Sequence, residues 1–292
     1  MINRYGRTGL ALLLSSACAA CVSPAARIDE KAAQLGFERQ AVWGTQFPHR
    51  VYLKGRATDS RRLHVYIEGD GLPWLRPDRV SPDPTPRYAL MLRLMAQDTQ
   101  PAIYLGRPCY FGFVQTPSCS PRSWTQDRYA PIIVDSMAAA LARLIAGQGD
   151  VELVLIGHSG GGTLAVLLSR RLAKVAAVVT VAGNLDTEAW TRQHGYSDLV
   201  GSLNPALLPA LDRHIVQLHF QGGQDREIPP ALAARFAVHQ PYAQFRLYPE
   251  FDHRCCWEEK WTEMLGQLTN RLSAGTFLPW RTSMESANQR PN

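Results

Sequence analysis

A serine flanked by glycines is the residue of this sequence best suited to chemistry. Ser159 is the centre of a Gly-x-Ser-x-Gly motif that begins at Gly157 and ends at Gly161. Apolar residues typical of a buried strand precede the motif over 151–156, and an apolar helix-like segment follows it from Thr163. A serine on such a sharp strand-to-helix turn is exposed, and small residues at the two glycine positions let strand and helix pack closely. Ser159 is therefore a candidate nucleophile.

A serine hydroxyl needs a base to remove its proton, and histidine is the usual base near neutral pH. The sequence has eight histidines. His253 follows the last predicted strand and precedes the last predicted helix, and we predict it to be the base. His158, beside the serine, cannot easily turn back to the hydroxyl. The others lie in strands or in loops without a supporting motif: His49, His64, His194, His214, His219 and His239.

The third group in such a site is a carboxylate that orients the histidine ring. Asp225 follows the predicted strand 215–220 at a sharp turn, and we rank it ahead of Glu227. Asp252 adjoins the histidine and fits a helix cap or a surface charge better. The three candidates then occur in the order serine, acid, histidine.

Strands alternate with helices along most of the sequence, which predicts an α/β fold with a mostly parallel central sheet and helices on both faces. Ligands bind such sheets at the carboxyl ends of the strands. Ser159, Asp225 and His253 each follow a predicted strand, as does Asp70, so we expect all four to lie at one edge. The segment 183–213 has no clear period and predicts a small lid insertion.

From about Phe47 to Leu272 the sequence resembles the α/β-hydrolase superfamily, because the glycine-flanked serine, the acid and the histidine match its motifs in their order. The resemblance implies the α/β-hydrolase fold and a serine hydrolase that needs no metal or organic cofactor. A carboxylic ester is the expected substrate, cleaved through an acyl-enzyme. A peptide, thioester or lactone bond remains an alternative, as does an inactive envelope binding protein on a hydrolase scaffold.

The same resemblance implies an oxyanion hole built from the backbone N–H groups of Gly160 and Asp70. Glu68, just before Asp70, stands where the family usually has histidine. An acidic side chain beside an oxyanion is unfavourable unless it points away or is paired, and Arg107 is the candidate partner. An acyl pocket has aromatic candidates that could equally pack in the core: Trp74, Tyr110, Phe111, Phe113 and Trp190.

The first 21 residues read as a signal peptide, with a positive start and a short apolar core. Cys18 or Cys21 fits the lipidated cysteine of a bacterial lipoprotein, and ordinary cleavage after Ala19 is the alternative. Three strings also resemble a group of exported bacterial α/β-hydrolases: Gly69-Asp70-Gly71, Arg107-Pro108-Cys109, and Asp252-His253 with Cys255-Cys256-Trp257. We therefore expect a location in the bacterial cell envelope, lipid-anchored on the periplasmic face, or export.

Export implies an oxidising compartment, where cysteines pair. Four cysteines follow the signal segment: Cys109, Cys119, Cys255 and Cys256. Cys109 could bond Cys119, which leaves the adjacent pair to bond each other or stay free. The alternative is two crosslinks between the two loops. None of these cysteines has a familiar zinc spacing, so we predict disulfides rather than a metal site.

The chain has 292 residues, 46% of them hydrophobic, enough for one large domain. We predict a signal peptide over 1–21, a tether or first helix over 22–46, the hydrolase domain over 47–273 and a tail over 274–292. The net charge of +6 is spread thinly, which argues against nucleic-acid binding. The expected partners are a small acyl substrate and, through the lipid anchor, a membrane; the protein is expected to be a monomer.

Overall fold

A computed structural model of the protein describes residues 22–56 and 60–274. It contains one large sheet and one small hairpin. The large sheet has eight strands: β1 (Glu38–Trp43), β2 (Pro48–Lys54), β3 (Arg62–Ile67), β6 (Ala102–Leu105), β7 (Glu152–His158), β8 (Val175–Val181), β9 (Val216–Gly222) and β10 (Ala243–Tyr248). The hairpin consists of β4 (Trp74–Arg76) and β5 (Arg79–Val80).

The strands of the large sheet lie in the order β1-β2-β6-β3-β7-β8-β9-β10. All neighbours from β6 to β10 are parallel, whereas β2 runs antiparallel to both β1 and β6. The predicted mostly parallel sheet is confirmed. Its carboxyl edge therefore receives the ends of β3, β7, β9 and β10 together, and these are the strands that precede the candidate site residues.

Within the described residues, seven α-helices surround the sheet: α1 (Pro24–Gln34), α2 (Leu90–Gln97), α3 (Pro131–Ile145), α4 (Gly160–Leu168), α5 (Thr187–His194), α6 (Ala234–Val238) and α7 (Trp257–Ser273). Helices α3 and α4 pack on each other and cover one face, and α2 and α7 pack on each other over the other. Since both faces are covered, the central strands β7 and β8 are almost continuous apolar runs. Helix α4 is buried along its whole length.

Some elements differ from the sequence predictions. Strand β1 lies in the segment 22–46, for which a tether or first helix is predicted. Helix α3 begins at Pro131, after a turn in which Asp127 pairs with Arg122. The predicted lid, 183–213, contains α5, whose first turn is capped by Asp186.

Cys109 and Cys119 form a disulfide with their Cα atoms 5.6 Å apart, and Cys255 bonds its neighbour Cys256. The pairing therefore stays within each loop, and the alternative with two crosslinks between the loops is not formed.

The predicted signal peptide, with Cys18 and Cys21, lies outside the described residues, as does the tail beyond residue 274. Of the helices in the described part, none has the length and apolar character needed to span a membrane.

Candidate active site

Ser159 lies at the turn between β7 and α4, with backbone angles φ 53° and ψ −123°. A non-glycine residue rarely adopts a positive φ, and such strain is found where the surrounding structure enforces it. Here the Ser159 N–H donates to Val181 O (3.0 Å), and its carbonyl accepts from the N–H groups of Gly162 (2.9 Å) and Asn184 (3.0 Å). These bonds hold the serine at the carboxyl edge of the sheet.

The two glycines of the motif are required by space. A Cβ atom at Gly157 would lie 2.1 Å from the carbonyl oxygen of Gly161, and one at Gly161 would lie 2.2 Å from that of Ile67. Non-bonded atoms do not approach this closely, so α4 can pack against β7 and the end of β3 only because Gly157 and Gly161 have no side chain. This confirms the packing reason for the glycines that the sequence suggests.

His253 and Asp225 meet next to the serine. The Nδ1 atom of His253 lies 2.8 Å from Asp225 Oδ2, and the carboxylate is buried. The other oxygen, Oδ1, accepts from the N–H groups of Glu227 (2.9 Å) and Ile228 (2.7 Å). Because a carboxylate accepts here, Nδ1 carries a proton, and in the neutral form of the ring Nε2 has the lone pair.

The strand ends bring these two residues together by close backbone packing. A Cβ at Gly222, where β9 ends, would lie 2.5 Å from Phe251 O, and one at Gly223 would lie 2.7 Å from Pro249 Cα. The turn that carries Asp225 thus packs against the loop that carries His253.

Ser159, Asp225 and His253 line a single cavity of about 1630 Å³. Across the described ranges, Nε2 of His253 has no hydrogen-bond partner, and the Ser159 hydroxyl makes no direct bond to it. Such bonds are often long without substrate and tighten when it binds. Glu227 and Asp252, the other two acids considered, also border the cavity, but Asp252 Oδ1 accepts the N–H groups of Arg254 and Cys255 at the start of α7.

His158 positions the loop of His253 rather than contacting the serine hydroxyl. Its Nε2 lies 2.9 Å from the carbonyl oxygen of His253, so Nε2 donates, and the two rings are 4.8 Å apart. Burial, followed by the nearby His253, lowers the pKa of His158 to about 3. The ring is neutral at ordinary pH and acts as a fixed hydrogen-bond donor.

The loop after β3 faces the nucleophile turn. A Cβ at Gly69 would lie 3.2 Å from Ser159 Cβ, and Asp70 lies so close to Gly160 that a Cβ there would overlap its carboxylate. Among the residues described, neither the Asp70 N–H nor the Gly160 N–H has an acceptor. Two unpaired donors beside the serine are what an oxyanion hole requires.

Glu68 points away from this opening. Its carboxyl group accepts from the N–H of Met91 (3.1 Å) at the start of α2 and from that of Gly69 (3.4 Å), and it lies 3.8 Å from His158 Nδ1. Burial raises the pKa of Glu68 to about 8, against the effect of these hydrogen bonds. The group is therefore protonated and neutral at pH 7.

The Asp70 carboxylate is fully paired. Arg107 bonds Oδ1, Arg128 bonds Oδ2 (2.8 Å), and the hydroxyl of Tyr129 lies 2.7 Å from both oxygens. Burial alone would raise the pKa of Asp70, but the two guanidinium groups lower it below its usual range. The expected pairing with Arg107 is present. The contacts of Arg128 and Tyr129 with Asp70 are not predicted, because no sequence motif links these residues to Asp70.

The disulfide loop also contacts Asp70. Cys109 has φ 67°, and the next residue, Tyr110, donates its hydroxyl to the carbonyl of Asp70 (2.9 Å). Tyr110 and Phe111 are buried, and Phe113 packs under Arg50. These three aromatics do not line the cavity.

Trp74 from the hairpin and Trp190 from α5 do line the cavity. The insertion also contributes Tyr196 and Leu199, which supports its interpretation as a lid over the site. In the described part of the chain, no group of three or more His, Cys, Asp or Glu side chains is arranged to hold a metal ion.

Residues 109–182 match the family model of lipase (class 3), which covers less than half of the chain. None of the curated proteins matches the sequence. A putative hydrolase from Agrobacterium vitis S4 is structurally similar, with a TM-score of 0.58 and 17% identity over 81% of this chain and 99% of that one.

Two further solved structures are similar. The Pyrococcus furiosus esterase Pf2001 has a TM-score of 0.55 and 11% identity over 82% of this chain and 94% of its own. Est1E from Butyrivibrio proteoclasticus has a TM-score of 0.53 and 13% identity over 81% of this chain and 99% of its own. With the lipase family model, these similarities support a hydrolase. The chain has the α/β-hydrolase fold, as its sequence predicts.

Proposed function

We propose that the protein is a serine hydrolase that cleaves a carboxylic ester through an acyl-enzyme. The observation that carries the proposal is the 2.8 Å bond from His253 Nδ1 to the buried Asp225, which leaves Nε2 without a hydrogen-bond partner among the described residues, in the cavity that Ser159 lines. The lipase family match supports an ester as the substrate, and the esterase Pf2001 shares the fold.

In the first step, His253 Nε2 takes the proton of Ser159 as Oγ bonds to the ester carbonyl carbon. The electron pair of the carbonyl moves to its oxygen, where the N–H groups of Gly160 and Asp70 donate to it. Asp225 stabilises the imidazolium. Collapse breaks the bond to the alcohol, which leaves with the proton from His253.

In the second step, a water molecule gives its proton to His253 Nε2 and attacks the acyl carbon. The carbon–Oγ bond breaks, the acid is released, and Ser159 regains its proton. Since Asp225 fixes which nitrogen of His253 is protonated, its amide replacement should leave the ring in the wrong tautomer.

A fluorophosphonate probe and short-chain p-nitrophenyl esters test the proposal. We expect the purified protein to be labelled and to hydrolyse the esters. Ser159→Ala should abolish labelling, and Asp225→Asn should lower kcat by roughly 10⁴-fold. Matched controls are Ser273→Ala and His239→Ala, since both residues are exposed and lie away from the cavity. If the folded wild type is neither labelled nor active on any ester, the proposal is wrong.

We also propose that the protein is exported and held at the bacterial envelope by a lipid on Cys18 or Cys21. The positive start, the short apolar core and the small residues before each cysteine support this location.

A further inference from the structure

Arg128 is a buried cation with one unused donor on the cavity that holds Ser159. Its side chain is only 5% exposed. Nε donates to the carbonyl of Thr125 (2.7 Å), and Nη1 donates to Asp70 (2.8 Å). Nη2 has no partner within residues 22–56 and 60–274, yet it is not among the enclosed unpaired nitrogens, and Arg128 lines the cavity. Its free N–H groups are thus available to a ligand.

The charges around Arg128 do not balance. Arg107 and Arg128 share the single carboxylate of Asp70, while burial raises the pKa of Tyr129 well above its usual value and keeps it neutral. Glu68, on the same side of the cavity, is neutral at pH 7. The cluster therefore carries one excess positive charge. A buried charge without a counter-ion is costly, so the site favours an anion.

Three of the other arginines that border the cavity have no ion-pair partner among the residues described. Arg76, Arg226 and Arg254 are exposed on its rim, and none forms an ion pair in the described part of the structure. Asp225, by contrast, is already occupied by His253 and two backbone N–H groups. Glu227 and Asp252 also border the cavity, so the excess positive charge that favours an anion is the buried one at Arg128.

We infer that the ester cleaved by this protein also bears a free carboxylate, which binds Nη2 of Arg128. One excess charge and one free terminal nitrogen match a monoanion better than a phosphate dianion. The inference rests on the proposed function for the ester, but the anion site itself does not depend on turnover.

Matched ester pairs test the inference by kinetics. The glutarate monoester of p-nitrophenol is compared with p-nitrophenyl valerate, and 4-carboxyphenyl acetate with phenyl acetate, so that the carboxylate lies on the acyl or the alcohol side. We expect kcat/KM to be about 10- to 100-fold higher for the carboxylate member of one pair, the effect of a charge-assisted hydrogen bond. Equal rates in both pairs would overturn the inference.

Arg128→Lys keeps the charge but removes the planar donor, so it should reduce the preference ratio severalfold. Arg192→Gln is the control, because Arg192 is exposed on α5 outside the cavity, and its ratio should equal that of the wild type. An unchanged ratio in folded Arg128→Lys would show that this residue is not the anion site. If that variant does not fold, the wild-type ester pairs and the binding measurement decide.

Binding to Ser159→Ala separates the inference from the proposed function. Calorimetry should show monomethyl glutarate binding at least about tenfold more tightly than methyl valerate. This result would stand even if the wild type failed to react with a fluorophosphonate. Equal affinities would overturn the inference, as would competition by inorganic phosphate but not by glutarate.

Discussion

Glu68 is a buried acid whose pKa is raised by burial, against the effect of its hydrogen bonds and of Arg93. Two backbone N–H groups reach its carboxyl group, and the neutral ring of His158 lies on its other side. Since the pKa of Glu68 is about 8, the loop after β3 places a neutral group next to the serine at pH 7. The two buried acids of this loop therefore differ in charge: Glu68 is protonated and neutral, whereas Asp70 is ionised and paired with two arginines.

This pKa predicts a pH dependence of stability. Between the ordinary pKa of a glutamate and about 8, the unfolded chain has lost the Glu68 proton while the folded chain retains it. The free energy of unfolding should then fall by about 1.4 kcal/mol per pH unit across this window through Glu68 alone. Below the window both states hold the proton, so the free energy of unfolding no longer changes with pH through Glu68 and none of it is lost.

Glu68→Gln should remove this slope, because glutamine stays neutral at every pH. The measurement is urea unfolding from pH 5 to 8 for the wild type and the variant, and the difference between the two curves isolates Glu68. Glu259→Gln, on the exposed side of α7, is the control and should follow the wild type. Parallel curves for the wild type and Glu68→Gln would mean that Glu68 is ionised in the folded protein.

At the scale of elements, the contact of α4 with β7 and β3 fixes the serine. We expect Gly161→Ala to destabilise the protein by roughly 2 kcal/mol or more, because its Cβ would overlap the carbonyl oxygens of Ile67 and Glu68. Gly266→Ala is the matched control. Gly266 lies on α7 with nothing within 4 Å of an added Cβ, so alanine there should stabilise by about 0.5–1 kcal/mol.

Thermal unfolding and labelling by a fluorophosphonate measure both effects. Gly161→Ala should lower Tm and lose labelling, and Gly266→Ala should raise Tm with labelling intact. A Gly161→Ala protein as stable and as reactive as the wild type would show that α4 tolerates a shift away from β3.

The sequence predicts this element well because its signal is local. The apolar run of β7, the glycines and the apolar start of α4 are adjacent, and close packing needs small residues at fixed positions. Strand β1 is harder to recognise, since all its side chains are exposed or half-buried and it lacks an apolar run. Arg107 is named from the sequence as a partner of Asp70, but Arg128 and Tyr129 are not, because only the folded chain brings their distant segment to Asp70.

At the scale of the whole molecule, the charges around the cavity matter more for the candidate site than the net charge does. The net charge of +6 is spread along the sequence, but the cavity collects arginines at its rim and one uncompensated cation inside. An enzyme of this kind at the envelope would meet its substrate near a membrane surface. The proposed attachment there rests on residues 1–21, which lie outside the described part of the chain.

Attachment through a lipid predicts that the two N-terminal cysteines decide where the protein is found. We expect the wild type, expressed in a Gram-negative host, to sediment with membranes and to incorporate labelled palmitate. One of Cys18→Ala and Cys21→Ala should lose both properties, and the other should keep them, which identifies the modified residue. Several acyl chains give stable anchoring, and their loss removes it. Fluorophosphonate labelling of each variant checks that the domain is folded. If the double variant still sediments with membranes, a lipid on these cysteines is not the anchor.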